Sequence, residues 1–148
     1  MNTPANATAP TELTQAQLNP RQCIILIDDE SAYLDLLEQF LGLHFDCPIH
    51  SFNHAATALE ALPSLNVGLV VTDYQMPEID GLQLLDAVSA RLPDVPAIMI
   101  TAHEIELTPE VSRRYPALKK IVRKPFQWSP LAEEIGRHWR DRPKSPTA

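Results

Sequence analysis

Short apolar runs alternate with stretches in which apolar residues recur every three or four positions, from about residue 21 to about residue 140. The runs lie near 23–28, 48–52, 67–72, 96–101 and 119–123 and predict five strands. The intervening periodic stretches predict helices near 31–43, 54–62, 81–91, 108–115 and 128–139. Strict alternation of strand and helix is the pattern of an α/β domain, with each helix on a crossover between parallel strands. Ile24-Ile25-Leu26-Ile27 and Ile98-Met99-Ile100 contain no polar alternation, as central strands covered on both faces require.

Several boundaries carry their own chemistry. Leu34, Leu37 and Leu41 give the first helix a buried stripe, with Gly42 expected near its end. Asn53 is expected to cap the second helix, and Pro63 to stop it. Leu82, Leu85 and Val88 form the expected stripe of the third. Thr108-Pro109-Glu110 reads as an N-cap followed by proline at the first helical position, and Tyr115-Pro116 ends that helix early. Trp128, Leu131, Ile135 and Trp139 form a core stripe on the last helix, whose basic end, Arg137-His138 with Arg140 and Arg142, complements the helix C-terminus.

Composition narrows the function. The length of 148 residues suits one domain, and 45% apolar content suits a globular core. Residues 1–20 read as a flexible N-terminal lead-in and 141–148 as a short tail, leaving 21–140 for the domain. A net charge of −7 argues against a general electrostatic grip on nucleic acid or anionic membrane. No apolar stretch approaches a membrane span and no export signal is present, so a cytoplasmic location without membrane insertion is expected. Cys23 and Cys47 lack metal-ligand spacing and are expected as thiols rather than a disulfide.

The candidate chemistry sits at strand ends. Asp28-Asp29 follow the first run, Asp73 the third, and Lys124-Pro125 the fifth. The carboxyl ends of parallel strands share one edge, beside which ligands bind. Carboxylates gathered there need a compensating cation, and an all-oxygen ligand set suits Mg2+. An aspartate left partly free is a candidate nucleophile.

Asp73-Tyr74-Gln75-Met76-Pro77-Glu78-Ile79-Asp80-Gly81 resembles the D-x-x-M-P-x-x-D-G phosphorylation segment of the receiver domain of two-component response regulators. Asp28-Asp29, Thr101-Ala102 and Lys124-Pro125-Phe126 stand where that family carries its other site residues, and the resemblance covers roughly residues 21–140. It implies a flavodoxin-like, doubly wound, five-stranded parallel sheet in order 2-1-3-4-5. It further implies a signalling protein rather than a metabolic enzyme, which takes a phosphoryl group from a histidine kinase or histidine phosphotransfer protein and answers by changing its binding to a downstream protein. In that scheme Asp73 is the phosphoacceptor. Asp29, Asp73 and the backbone carbonyl of Gln75 hold Mg2+ directly and Asp28 holds it through water, Lys124 pairs with a phosphoryl oxygen, Thr101 supplies a hydroxyl, and Lys124-Pro125 is cis. Met76-Pro77 and Gly81 read as loop geometry.

Two departures matter. Ile121 replaces the aromatic residue usual three positions before the lysine, and Tyr115-Pro116-Ala117-Leu118 replaces the usual Gly-Ala before the fifth strand. The segment 102–107, with His103, is expected to be a mobile loop. A receiver-fold docking module that works without phosphorylation is the alternative. An aspartyl-phosphate phosphohydrolase of the haloacid dehalogenase type is disfavoured, since that family carries an aspartate where Gln75 stands.

Overall fold

The structure is a computed structural model and describes residues 21–139; the lead-in 1–20, the tail 141–148, Arg140 and Arg142 lie outside the described residues. The strands are β1 (Cys23–Ile27), β2 (Ile49–Phe52), β3 (Val67–Asp73), β4 (Ala97–Thr101) and β5 (Leu118–Arg123). The helices are α1 (Ser31–His44), α2 (Ala55–Ala61), α3 (Gly81–Arg91), α4 (Pro109–Arg114) and α5 (Trp128–Trp139). All strand pairs are parallel, in the expected order β2-β1-β3-β4-β5.

Side-chain alternation along the strands splits the core into two layers. Ile25, Ile27, Val70 and Met99 face α2 and α3, where Ala58, Leu84, Leu85 and Val88 are buried. Ile24, Leu26, Leu69, Val71, Ile98 and Ile100 face Leu34, Leu37 and Leu41 of α1 and Leu131 and Ile135 of α5. The continuous apolar runs of β1 and β4 are thus buried on both sides. Cys23 belongs to the first layer and half-buried Cys47 packs against the second; both are free thiols.

Local expectations fared unevenly. Thr108 caps α4 by accepting a hydrogen bond from the Val111 amide at 3.2 Å, and that helix is only six residues long. Asn53 does not cap α2: the chain stays extended through His54, which takes the cap position, so Asn53 lies one residue too early. Pro63 falls in a short 3-10 turn, Leu62–Ser64, that follows α2. Gly42 lies in the last turn of α1 as expected, and the helix ends two residues later at His44, whose ring bonds the Phe40 carbonyl at 3.0 Å and packs on the Phe40 ring. In α3 the buried stripe is Gly81, Leu84, Leu85 and Val88, with Leu82 only partly buried, because the turn-by-turn spacing is centred on Leu84 and Leu85. Leu131 and Ile135 form the α5 stripe, with Trp128 and Trp139 partly buried at its two ends. Arg137 and His138 both pair with Glu134.

The start of α3 fixes the loop that follows β3. Asp80 and Gln83 form a reciprocal capping box, each side chain accepting the other's backbone N–H at 2.8 Å. Glu78 adopts a left-handed φ of 76°. The Gly81 amide then donates to the Tyr74 carbonyl at 2.6 Å, and a Cβ at Gly81 would stand 2.5 Å from the Asp73 carbonyl oxygen. Because that obstacle is backbone, Gly81→Ala has to push the end of β3 aside. A loss of about 1–3 kcal/mol in urea unfolding is expected; a variant within about 0.5 kcal/mol of the parent, the range of a neutral surface change, would show that the close approach is not needed.

Candidate functional site

The register of the sheet assembles the site. Ile27 at the end of β1 lies opposite Thr72 of β3, so Asp28 emerges level with Asp73. Asp73 lies opposite Ile100, and Thr101 opposite Arg123, so Thr101 and Lys124 each fall one step along the same edge. Residues that lie from 23 (Thr101 to Lys124) to 96 (Asp28 to Lys124) positions apart in the chain therefore meet because four parallel strands end together.

Asp28, Asp29 and Asp73 each offer a carboxylate oxygen, all within 4.8 Å of one another. Lys124 reaches over them: its Nζ lies 3.5 Å from Asp28 Oδ2, 3.7 Å from Glu30 Oε1 and 3.8 Å from Asp73 Oδ2. Asp28 is buried and accepts the Glu30 amide at 2.9 Å; Asp29 is exposed; Asp73 is half-buried and accepts the Tyr74 amide at 2.7 Å. Gln75 follows on the exposed loop two residues beyond Asp73. Thr101 is fully buried, and its Oγ accepts the His103 amide at 2.9 Å, while its carbonyl accepts the Lys124 amide at 2.8 Å. The Lys124-Pro125 peptide is cis.

The donor set fits a small hard cation. Ligands on Mg2+ sit at about 2.1 Å from the ion and hence no more than roughly 4.2 Å apart, so three carboxylate oxygens within 4.8 Å need only small rotations to share one ion. The titration chemistry agrees. Burial pushes the Asp28 carboxyl up to about 6, with the neighbouring Asp73 adding to the effect and the Glu30 amide and Lys124 opposing it. Burial raises Asp73 as well, while Lys124 and the Tyr74 amide counter it. Two carboxyls are thus held in a place that resists their ionisation, and a cation there would reverse that resistance.

Two neighbours escaped the sequence reading. Glu30 extends the acidic pair and touches Lys124, and Tyr33 lies beneath it with Nζ 4.1 Å from the ring centroid. The signal for Tyr33 was its place in the first turn of α1, since helical side chains lean back towards the N-terminus. Ile121, opposite Met99, is partly buried against the first core layer, so no aromatic side chain stands there. The ring of His103 instead meets Tyr74 edge-on at 6.1 Å. In the segment 102–107, Glu104 pairs with Arg123 at 3.1 Å and Leu107 packs against the core.

A five-stranded parallel sheet in this order is the flavodoxin-like, doubly wound class of fold, and the acidic cluster and Lys124 stand at its carboxyl edge, where ligands of that class bind. The family model for the response regulator receiver domain matches residues 24–135, and the chain belongs to that family. Over 107 residues it is 35% identical to the DNA-binding transcriptional regulator NtrC of Escherichia coli, covering 72% of this chain and 22% of NtrC. It is 33% identical to the transcriptional regulatory protein FixJ of Bradyrhizobium diazoefficiens, covering 70% of this chain and 50% of FixJ. The chain thus spans half or less of the length of these curated relatives. A CheY-like receiver domain protein from Methanospirillum hungatei superposes with a TM-score of 0.72 at 22% identity, covering 82% of this chain and 95% of that one, which shows the fold. The response regulator TrrA of Thermotoga maritima, solved in complex with Mg2+-BeF, gives 0.69 at 26% identity, covering 79% and 98%. No described helix is long and apolar enough to cross a membrane.

The raised Asp28 value sets a pH dependence. An ordinary unfolded aspartate has a pKa of about 3.9, below the folded value of about 6. The folded state therefore binds the proton more tightly, and Asp28 costs stability that grows as pH rises from about 4 to about 6 and then levels off. Without divalent metal, the protein should be more stable at pH 5 than at pH 7.5 by about 1.4 kcal/mol, and should melt correspondingly higher. Asp28→Asn should be the more stable protein at pH 7.5 and should flatten this part of the profile. A variant that melts lower at pH 7.5 with an unchanged profile would remove Asp28 as the source.

Proposed function

We propose that this receiver takes a phosphoryl group onto Asp73, with Mg2+ bound by Asp28, Asp29, Asp73 and the Gln75 carbonyl, from the phosphohistidine of a histidine kinase or phosphotransfer protein. The observation that carries the reading is the meeting of three carboxylates and the Lys124 ammonium at one point, with Nζ 3.8 Å from Asp73 Oδ2.

The residues divide the work as follows. The Tyr74 amide holds Asp73 Oδ1 at 2.7 Å, which leaves Oδ2, on the Lys124 side, to attack phosphorus. The new bond is an acyl phosphate, and the bond that breaks is the phosphorus–nitrogen bond of the donor histidine. Positioning and charge neutralisation supply most of the catalysis in such transfers, and Mg2+ when bound supplies the larger part of the charge. Lys124 meets a phosphoryl oxygen as a point charge. Thr101 Oγ accepts from the His103 amide, so its own O–H hydrogen remains to donate to the phosphoryl group. That bond would move Thr101 and with it the segment 102–107, which begins at the His103 amide. The downstream signal is then a change in which protein binds this face. The acidic net charge supports a protein partner rather than direct contact with nucleic acid, and a cytoplasmic site of action follows from the kinase that supplies the phosphoryl group.

Incubation with a small-molecule phosphodonor and Mg2+ should add one phosphoryl mass to the wild type. Asp73→Asn should abolish the addition, chelation should abolish it as well, and Lys124→Ala should slow it by at least about tenfold, as loss of a charge on the transferred group does. Persistence of the mass in Asp73→Asn would sink the assignment. No addition to the wild type would favour the phosphorylation-independent docking reading that Ile121 invites.

A further inference from the structure

Among the described residues Lys124 is the one lysine at the site, and its contacts with the carboxylates, a hydrogen bond to Asp28 Oδ2 included, are long. Its three distances of 3.5, 3.7 and 3.8 Å are all longer than the roughly 2.7–2.9 Å of a charge-assisted hydrogen bond. The fourth neighbour is the face of Tyr33, 4.1 Å below Nζ, within the range in which a ring quadrupole attracts an ammonium. That ring is itself braced. Phe126 meets it edge-on at 6.1 Å, and Trp128 stacks at 6.5 Å with an interplanar angle of 27°. Phe126 and Trp128 contact each other at 5.2 Å, and Phe40 closes the group against Trp128 at 4.7 Å. The cluster ties α1 to the β5–α5 connection, the segment from which Lys124 projects. The Tyr33 hydroxyl is buried and no described group hydrogen-bonds to it, so whatever Tyr33 does here is done by its ring.

We propose that Tyr33 is a positioning residue for phosphoryl transfer: its aromatic face, fixed by Phe126 and Trp128, holds the Lys124 ammonium at the mouth of the acidic site. This rests on the reading of Asp73 as the phosphoacceptor. Three carboxylates alone leave a flexible four-carbon chain several places to rest. A braced ring removes the positions on its own side and keeps the charge where an incoming phosphoryl oxygen would find it, without the loss of charge that a tight ion pair would bring.

The test uses the full chain, with Mg2+ and beryllofluoride as the phosphoryl mimic. Tyr33→Phe keeps the ring and removes an unpartnered hydroxyl, so it should bind the mimic within about twofold of wild type, while Tyr33→Leu should bind about three- to tenfold more weakly. In a Lys124→Ala background, Tyr33→Leu should cause no further loss, which separates positioning of the ammonium from general packing. Carbon-proton NMR of the Lys124 ε-methylene should show an upfield ring-current shift in the wild type and Tyr33→Phe; this readout needs neither the mimic nor a destabilised variant. Wild-type binding of the mimic with equal binding by Tyr33→Leu, an equal Tyr33→Leu loss in the Lys124→Ala background, or no ring-current shift in the wild type overturns the role of Tyr33 and leaves the phosphoacceptor reading standing. Failure of the wild type to bind the mimic overturns both.

Discussion

Everything at the functional edge follows from forcing carboxylates together where water cannot fully solvate them. Asp28 and Asp73 stand within 4.8 Å of each other, and at an effective dielectric of about 20 two ionised groups at that separation repel by on the order of 3 kcal/mol. The pairing of β1 with β3 imposes this closeness, since a strand cannot slip by one residue without turning its whole buried face to the other side. The cost is met in part by Lys124 and by the Glu30 and Tyr74 amides, each of which donates to or faces a carboxylate. What remains uncompensated favours positive charge at that point.

The two layers of the core serve the site differently. On the α2 and α3 side, the capping box at Asp80 and the close approach of Gly81 clamp the loop directly behind Asp73. Leu84, Leu85 and Val88 anchor that clamp to the sheet. On the α1 and α5 side, aromatic rings reach the site: Tyr33, Phe126 and Trp128 lie next to Lys124. One side thus holds the carboxylate and the other the ammonium. Between them, α4 buries none of its residues completely, and the segment before it is held by an exposed ion pair, by the His103 contacts with Thr101 and Tyr74, and by Leu107. Such a region has little apolar area to lose when it moves, which places it among the less stable parts of the fold.

Membership of the receiver family leaves the chain's departures as its individual features. Ile121 packs into the core opposite Met99 and offers Thr101 no ring. Aromatic contacts gather instead at Tyr74 with His103 and at Tyr33 with Phe126. The aromatic groups that border the site are therefore on its two flanks rather than along β5.

The order of strands and helices, the two-sided burial of β1 and β4, and the candidates Asp28, Asp29, Asp73, Thr101 and Lys124 were legible in the chain, because each depends on residues adjacent in sequence or on a strand end. The Thr108 cap was legible for the same reason, since its bond spans three residues. Asn53 misled because a cap depends on where the backbone enters the helical region, and tertiary packing moved that point by one residue at α2. Leu84 in place of Leu82 was a matter of helix rotation against the sheet, which periodicity alone locates only to within part of a turn. The contacts of Glu30 and Tyr33 with Lys124 were invisible beforehand, for they join residues more than 90 positions apart across a distance set by how α1 sits on β1 and how the chain leaves β5. Local chemistry named the groups that could react; only the packing of α1 and α5 against the sheet decided which of their neighbours lie against Lys124.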